Sequence, residues 1–265
     1  MRDTTLSVTD KRMLWKLSAL PLIVAALAGC GLGQYPDPNE PDPQAKFNGE
    51  ALQKDVQQVA LVLSERVAKG EIDQKERTKL LQDYIREQLT GVDPKDVPDR
   101  QAWRYADVYR QLEDWKTTNE LYERAVKDAP NEDRRVNDTL RLAEAKARLK
   151  DVPKGIELVR STFNTSPGDK APIFMATLYE FAPAALGQGH DLEIAQLLED
   201  AMAQHLQTYV DPTTNVGIGF LNARQHHLKI GWDLVLRIYQ ENGKQDAMRA
   251  AIERADKMMS RFATT

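Results

Sequence analysis

The stretch "AWRYADVYRQLEDWKTTNELYERAVKDAP", Ala102 to Pro130, decides how the chain folds. Tyr105, Ala106 and Tyr109, then Thr118, Tyr122 and Ala125, recur at intervals of three and four, which is helical spacing and not the alternation of a strand. Ala106 and Ala125 are small where two helices must approach closely, and Tyr109 and Tyr122 fill the gaps around them. Pro130 stops the second helix, because a proline disfavours helical backbone in the residue before it. The stretch predicts a helix hairpin.

The same period runs through the rest of the body. Leu52, Val56, Val59, Ala60, Leu63 and Val67 lie on one helical face. Breaks fall at residues 69–73, 90–99, 128–133, 150–153, 165–169, 187–191, 210–217 and 241–244. Between them the sequence predicts about ten helices of roughly 12 to 22 residues, with Asp73, Asp99, Asp191 and Asp211 as amino-terminal caps and a kink at Pro183. A hydrophobic content of 42%, aromatics at 7% and charged residues at 29% suit amphipathic helices with solvated outer faces, so the expected class is all-α.

The hairpin at 102–130 resembles a tetratricopeptide repeat, a helix pair of about 34 residues. With Asp99 in its first position, Tyr105, Ala106, Tyr109, Thr118, Tyr122, Ala125 and Pro130 fall on the family's signature positions. A second copy reads through Trp232, Val235, Leu236, Tyr239, Gly243, Met248, Ile252 and Ala255. Residues 136–169 hold a fainter one, with Ala143, Leu149, Asp151 and Pro167, and "HDLEIAQLLEDAM" supplies a second helix for residues 170–205. Residues 50–91 form a hairpin without the signature, read as a cap on the first repeat. The resemblance implies a right-handed superhelical solenoid of about five antiparallel helix hairpins, with the repeat domain over 92–265. It also implies a concave, peptide-receiving surface made by Arg100, Trp103, Asp107, Arg110 and Gln111 and continued by Asn137, Leu140, Glu144 and Arg148. Trp103 either anchors a partner there or packs against the neighbouring hairpin.

The amino-terminal segment carries a second resemblance. An apolar run of 13 residues, Leu17 to Gly29, follows Lys11, Arg12 and Lys16; it is too short to cross a bilayer, where about 20 residues are needed. That order of elements is that of a secretory signal. Leu27, Ala28, Gly29 and Cys30 resemble the lipobox of bacterial lipoproteins, which implies a signal peptide over 1–29, cleavage before Cys30, a diacylglycerol on its sulfur and an acyl group on the new amino terminus. Met13 would begin a tidier signal than Met1. Residues 30–49 read as a lipidated tether rich in proline and acid, "YPDPNEPDP", whose extended part spans up to about 50 Å. By resemblance to enterobacterial lipoproteins, in which an aspartate after the cysteine marks retention, Gly31 implies sorting to the periplasmic side of an outer membrane in a cell with two membranes.

Signs of catalysis are missing. One cysteine permits no internal disulfide or cysteine-based metal cluster, and His190, His205, His226 and His227 lack the spacing of a zinc-binding helix. "NVGIGFLNAR" puts Asn222 where a dinucleotide loop needs its third glycine, so Gly217 and Gly219 read as a flexible connection. The net charge is −4, and Arg2, Lys11, Arg12 and Lys16 outweigh Asp3 and Asp10 in the leader, leaving a body too acidic for a nucleic-acid partner. The expected function is thus a non-enzymatic envelope scaffold or assembly factor that binds a protein or peptide and the bilayer, with no metal and no cofactor beyond its acyl groups. The rival is a solute- or cell-wall-binding envelope lipoprotein with a pocket in the 190–227 region near His190, Asn222 and His226.

Overall fold

The computed structural model describes residues 48–163, 165 and 173–262; the leader, Cys30, tether residues up to 47, Pro167 and most of the 165–169 break lie outside them. The described residues are helical, and no strand occurs among them. In order come α1 (Gly49–Ala68), α2 (Gln74–Gln88), a 3-10 turn (Asp99–Gln101) leading into α3 (Ala102–Gln111), α4 (Trp115–Lys127), α5 (Glu132–Arg148) and α6 (Val152–Ser161). Then follow α7 (Ile173–Ala176), a π turn (Thr177–Phe181), α8 (Ala182–Ala185), α9 (Asp191–Gln207), α10 (Asn215–Glu241) and α11 (Gln245–Met259), closed by a 3-10 turn (Ser260–Phe262).

The helix starts follow side-chain acceptors for free amides. Asn48, Asp73, Asp114, Asn131, Asp151 and Thr214 each take a backbone N–H from the first turn of the helix they open. Asp73 was the one expected cap among them. Asp99 instead accepts from Arg124 Nε at 2.7 Å, Asp191 from the Gly187 N–H at 2.8 Å, and Asp211 from the Thr213 N–H and hydroxyl. Each stands within a helix start or a few residues before it, where its carboxylate reaches a turn or a partner and not the helix's own first amides.

Two hairpin turns lack the glycine that usually marks them. Glu113 (φ 59°) and Lys150 (φ 70°) take the left-handed conformation that Gly243 (φ 66°) supplies in the last hairpin. Gly217 and Gly219 are not a flexible connection: both lie in the opening turns of α10. A Cβ on Gly217 would stand 1.9 Å from the Asp211 carbonyl oxygen, so close backbone approach requires glycine there. At the expected kink, the Ala182 N–H donates to the Thr177 carbonyl five residues back; a π turn thus precedes Pro183, which has no N–H of its own.

Consecutive helices pack on one another, α1 on α2, α3 on α4, α4 on α5, α5 on α6, α9 on α10 and α10 on α11. Further contacts join α1 to α3 and α5 to the α7–α8 run. Six of the seven signature residues of the first hairpin, Tyr105, Ala106, Tyr109, Thr118, Tyr122 and Ala125, are buried, and Pro130, past the end of α4, is exposed. In the last hairpin Trp232, Val235, Tyr239, Ala251 and Ala255 are buried, while Ile252 is 40% exposed, so α11 turns Ala251 inward where the repeat pattern placed Ile252. Leu236, large where the pattern wants a small residue, is half-buried.

Apolar side chains form two clusters, one around Leu52, Leu63, Tyr84, Tyr122 and Leu142, the other around Leu140, Phe174, Phe181, Leu197, Met202 and Val235. Each large side chain removed from water contributes about 1.5–3 kcal/mol. Helix α5 feeds both, with Leu142 in the first and Val136, Leu140, Ala143 and Ala147 in the second. No helix among the described residues is long and apolar enough to cross a membrane.

Candidate functional site

Helix α5 carries Arg134, Asp138, Arg141, Glu144 and Arg148 at three- and four-residue steps, which puts alternating charges along one face. Facing it, α3 carries Trp103, Arg104, Asp107, Arg110 and Gln111, and the π turn carries Glu180. Arg110 Nε meets Glu144 Oε2 at 2.6 Å, and its Nη2 lies 3.4 Å from Glu180. Arg141 stands between Asp107 at 3.6 Å and Glu180 at 3.8 Å. Asp107 also accepts from the Tyr122 hydroxyl at 2.5 Å and from Gln53 Nε2 at 2.8 Å. Arg104 donates to Gln53 at 3.1 Å and to Glu50 at 3.2 Å, so the polar strip reaches from α1 across α3 and α5 to the π turn.

The sequence-predicted residues divide between the strip and its surroundings. Asp107, Arg110, Glu144 and Arg148 come together; Arg148 lies 3.9 Å from Glu144 with its guanidinium 5.1 Å above the Trp115 ring. Trp103 is half-buried against the first core, with the Arg104 and Arg134 guanidinium groups 4.4 and 4.1 Å from its ring centre. Leu140 is buried in the second core. Arg100 is exposed and Asn137 bonds back to the Asp133 carbonyl at 3.1 Å, so neither joins the strip. Gln111 borders it, reaching the Asp107 carbonyl at 3.5 Å.

Sequence reasoning missed Gln53, Arg104, Arg134, Asp138, Arg141, Glu180 and the Tyr122 hydroxyl. Arg134, Arg141 and Arg148, seven apart, were a readable signal of one charged face. Glu180 gave none, since the π turn rotates it away from its ideal helical position.

Burial and pairing compete within the strip. Burial raises the Glu144 carboxyl against the pull of Arg110, and it raises Asp138 to about 6 despite Arg134 at 2.6 Å. Burial works to lower the Arg110 guanidinium, but Glu144 and Glu180 raise it on balance. The Tyr122 hydroxyl is raised by burial and then by Asp107. These groups pair with one another in place, so the strip offers donors and acceptors held in position.

The other expected site takes a different form. His190 pairs with Glu193 at 3.0 Å, while Asn222 and His226 are exposed. None of the three lines the cavity of about 440 Å³ between α9, α10 and α11, whose walls include Gln196, Glu199, Asp200, Trp232, Arg254 and Met258. Glu199 accepts two bonds from Arg254, at 2.7 and 2.9 Å, and one from the Tyr239 hydroxyl at 3.0 Å. The Trp232 indole N–H points to the Met258 sulfur at 3.2 Å. The polar groups of this cavity are thus largely spent on each other. Among the described residues no group of three or more His, Cys, Asp or Glu is placed to hold a metal ion. No family model, curated protein or solved structure matches the chain.

Proposed function

We propose that the chain is a bacterial envelope lipoprotein, acylated at Cys30 after loss of residues 1–29, whose helices stack as a tetratricopeptide-like solenoid and serve as a protein-docking scaffold. One observation carries the docking part of this reading: the polar strip crosses α1, α3, α5 and the π turn, and Asp107, Arg110, Arg141 and Glu180 keep 19–28% of their side-chain surface exposed. Side chains held by one another lose little further freedom when a partner arrives, which favours recognition by a preorganised surface. Arg141, at ion-pair distances longer than a direct hydrogen bond, keeps N–H donors for an acceptor on a bound peptide. The acyl anchor raises the effective concentration of the scaffold beside other membrane-held proteins.

The test uses a photo-reactive amino acid at Arg104, Gln111 or Arg148 in the native cell, with Glu120, exposed on α4, as the control. One discrete crosslinked partner from the strip positions, absent from the control, is the expected result. The same products from all four positions, or none from any, would refute docking at the strip. The intact mass of the isolated protein tests the anchor separately: a chain beginning at Cys30 with added acyl mass is expected, and an unmodified Cys30 would refute that part alone.

A further inference from the structure

His205, on α9, is buried between two phenyl rings, Phe174 of α7 at 5.1 Å and Phe220 of α10 at 4.8 Å between ring centres. Its Nε2 is buried and has no hydrogen-bond partner among the described residues. The charged and titratable groups that bear on it are Arg224 and His227, both on α10 and both cationic when protonated. Arg224 lies 4.9 Å from the Phe220 ring centre and donates from Nη2 to the Thr208 carbonyl at 2.8 Å, tying α10 to the end of α9. A neutral imidazole suits this apolar slot. A protonated one would need an acceptor and would instead face a guanidinium.

Besides that tie, the Tyr179 hydroxyl of the π turn meets His227 Nδ1 at 2.9 Å, and little else holds the start of α10. Ile218, Gly219, Leu221, Asn222, Gln225 and His226 are exposed, and the first fully buried side chain after Phe220 is Leu228. We propose that the Phe174–His205–Phe220 stack is an acid-released latch: proton uptake at His205 frees the amino-terminal turns of α10, residues 215–227, from α7 and α9 and uncovers both phenyl rings. The imidazole's affinity for protons supports the direction, since burial first, then Arg224 and His227, lower it from its ordinary 6.5 to about 4. An opened state that restores the ordinary value gains by linkage about 20-fold in population between pH 7 and pH 5.

Amide hydrogen exchange of the full chain, corrected for intrinsic rates, measures this directly. In the wild type, opening within 215–227 should rise about 20-fold from pH 7 to pH 5 relative to α1, and in His205→Phe, which keeps an aromatic ring in the slot, it should stay within about twofold. No rise in the wild type, or an equal rise in the variant, would overturn the latch. Should the variant not fold, the wild-type His205 Cε1–H titration followed by NMR decides: a midpoint below about 5 supports the proposal, and one at the ordinary imidazole value removes it.

Discussion

Replacing Asp138 with asparagine is expected to stabilise the folded chain at neutral and alkaline pH, although it removes a member of an ion pair. Asp138 is fully buried; its Oδ1 accepts from Arg134 Nη2 at 2.6 Å, and its Oδ2 is buried with no hydrogen-bond partner among the described residues. Burial outweighs Arg134 and raises the carboxyl from 3.8 to about 6 in the folded state. A group raised by folding contributes stability that is fully present below its unfolded value and lost as pH rises through its folded one. The loss here falls between about pH 4 and pH 6, and two units of difference correspond to about 3 kcal/mol. Asparagine keeps an acceptor for Arg134 and carries no charge to desolvate. The variant should therefore match the wild type near pH 4 and exceed it by about 1–3 kcal/mol at pH 8, allowing for a weaker bond to Arg134. His205 works in the opposite sense: its folded value, lowered to about 4, makes stability fall as pH drops below 6.5. That contribution is common to both chains and cancels in their difference, so the quantity to measure is the gap between urea denaturation curves at pH 4, 6 and 8. A variant less stable than the wild type at pH 8, or a gap that does not change with pH, would refute the argument.

Three other substitutions follow from local geometry. Glu113→Gly, at a left-handed turn, should stabilise by about 1 kcal/mol in thermal melts, because glycine adopts that backbone without the steric cost a side chain incurs. Arg124 holds the 93–99 loop through the Asp99 carboxylate and the Pro94 and Val97 carbonyls; Arg124→Ala should cost about 2–4 kcal/mol and speed proteolytic cutting within that loop. Arg110→Ala leaves Glu144, 5% exposed, with Arg148 at 3.9 Å as its nearest cation and should cost about 3–5 kcal/mol by urea denaturation, whereas Arg110→Ala with Glu144→Leu should recover most of the loss.

The helices were largely legible because their signals are local. Ala106 and Ala125 marked the close approach of α3 and α4, and apolar residues at three and four gave α1 its buried face. Turn chemistry was less so: the sequence announces a turn through glycine or proline, and at Glu113 and Lys150 packing of the flanking helices imposes the left-handed backbone instead. The register of α11 was misplaced because Ala251 and Ile252 both satisfy an apolar pattern, and only the crowded neighbourhood of α10 favours the smaller one inward. Asp107, Arg110, Glu144 and Arg148 were the members of the strip that the pattern on α3 and α5 made legible. The remainder depended on distances between segments: Asp107 meets Gln53 across 54 positions, and Glu180 reaches Arg110 only through the π turn. Likewise, nothing local to His205 announces that two phenyl rings from separate helices enclose it.

Helix α5 lends Leu142 to one core and Val136, Leu140, Ala143 and Ala147 to the other. It is a party wall, and no cut of the chain on either side of it yields two self-sufficient pieces. A fragment ending before Glu132 lacks the Leu142 side of its core, and one beginning after Arg148 lacks four apolar contacts of its own. Two fragments that overlap through the whole of α5 should each fold more completely than either abutting piece. Permuted or split versions of the protein would need to duplicate that helix.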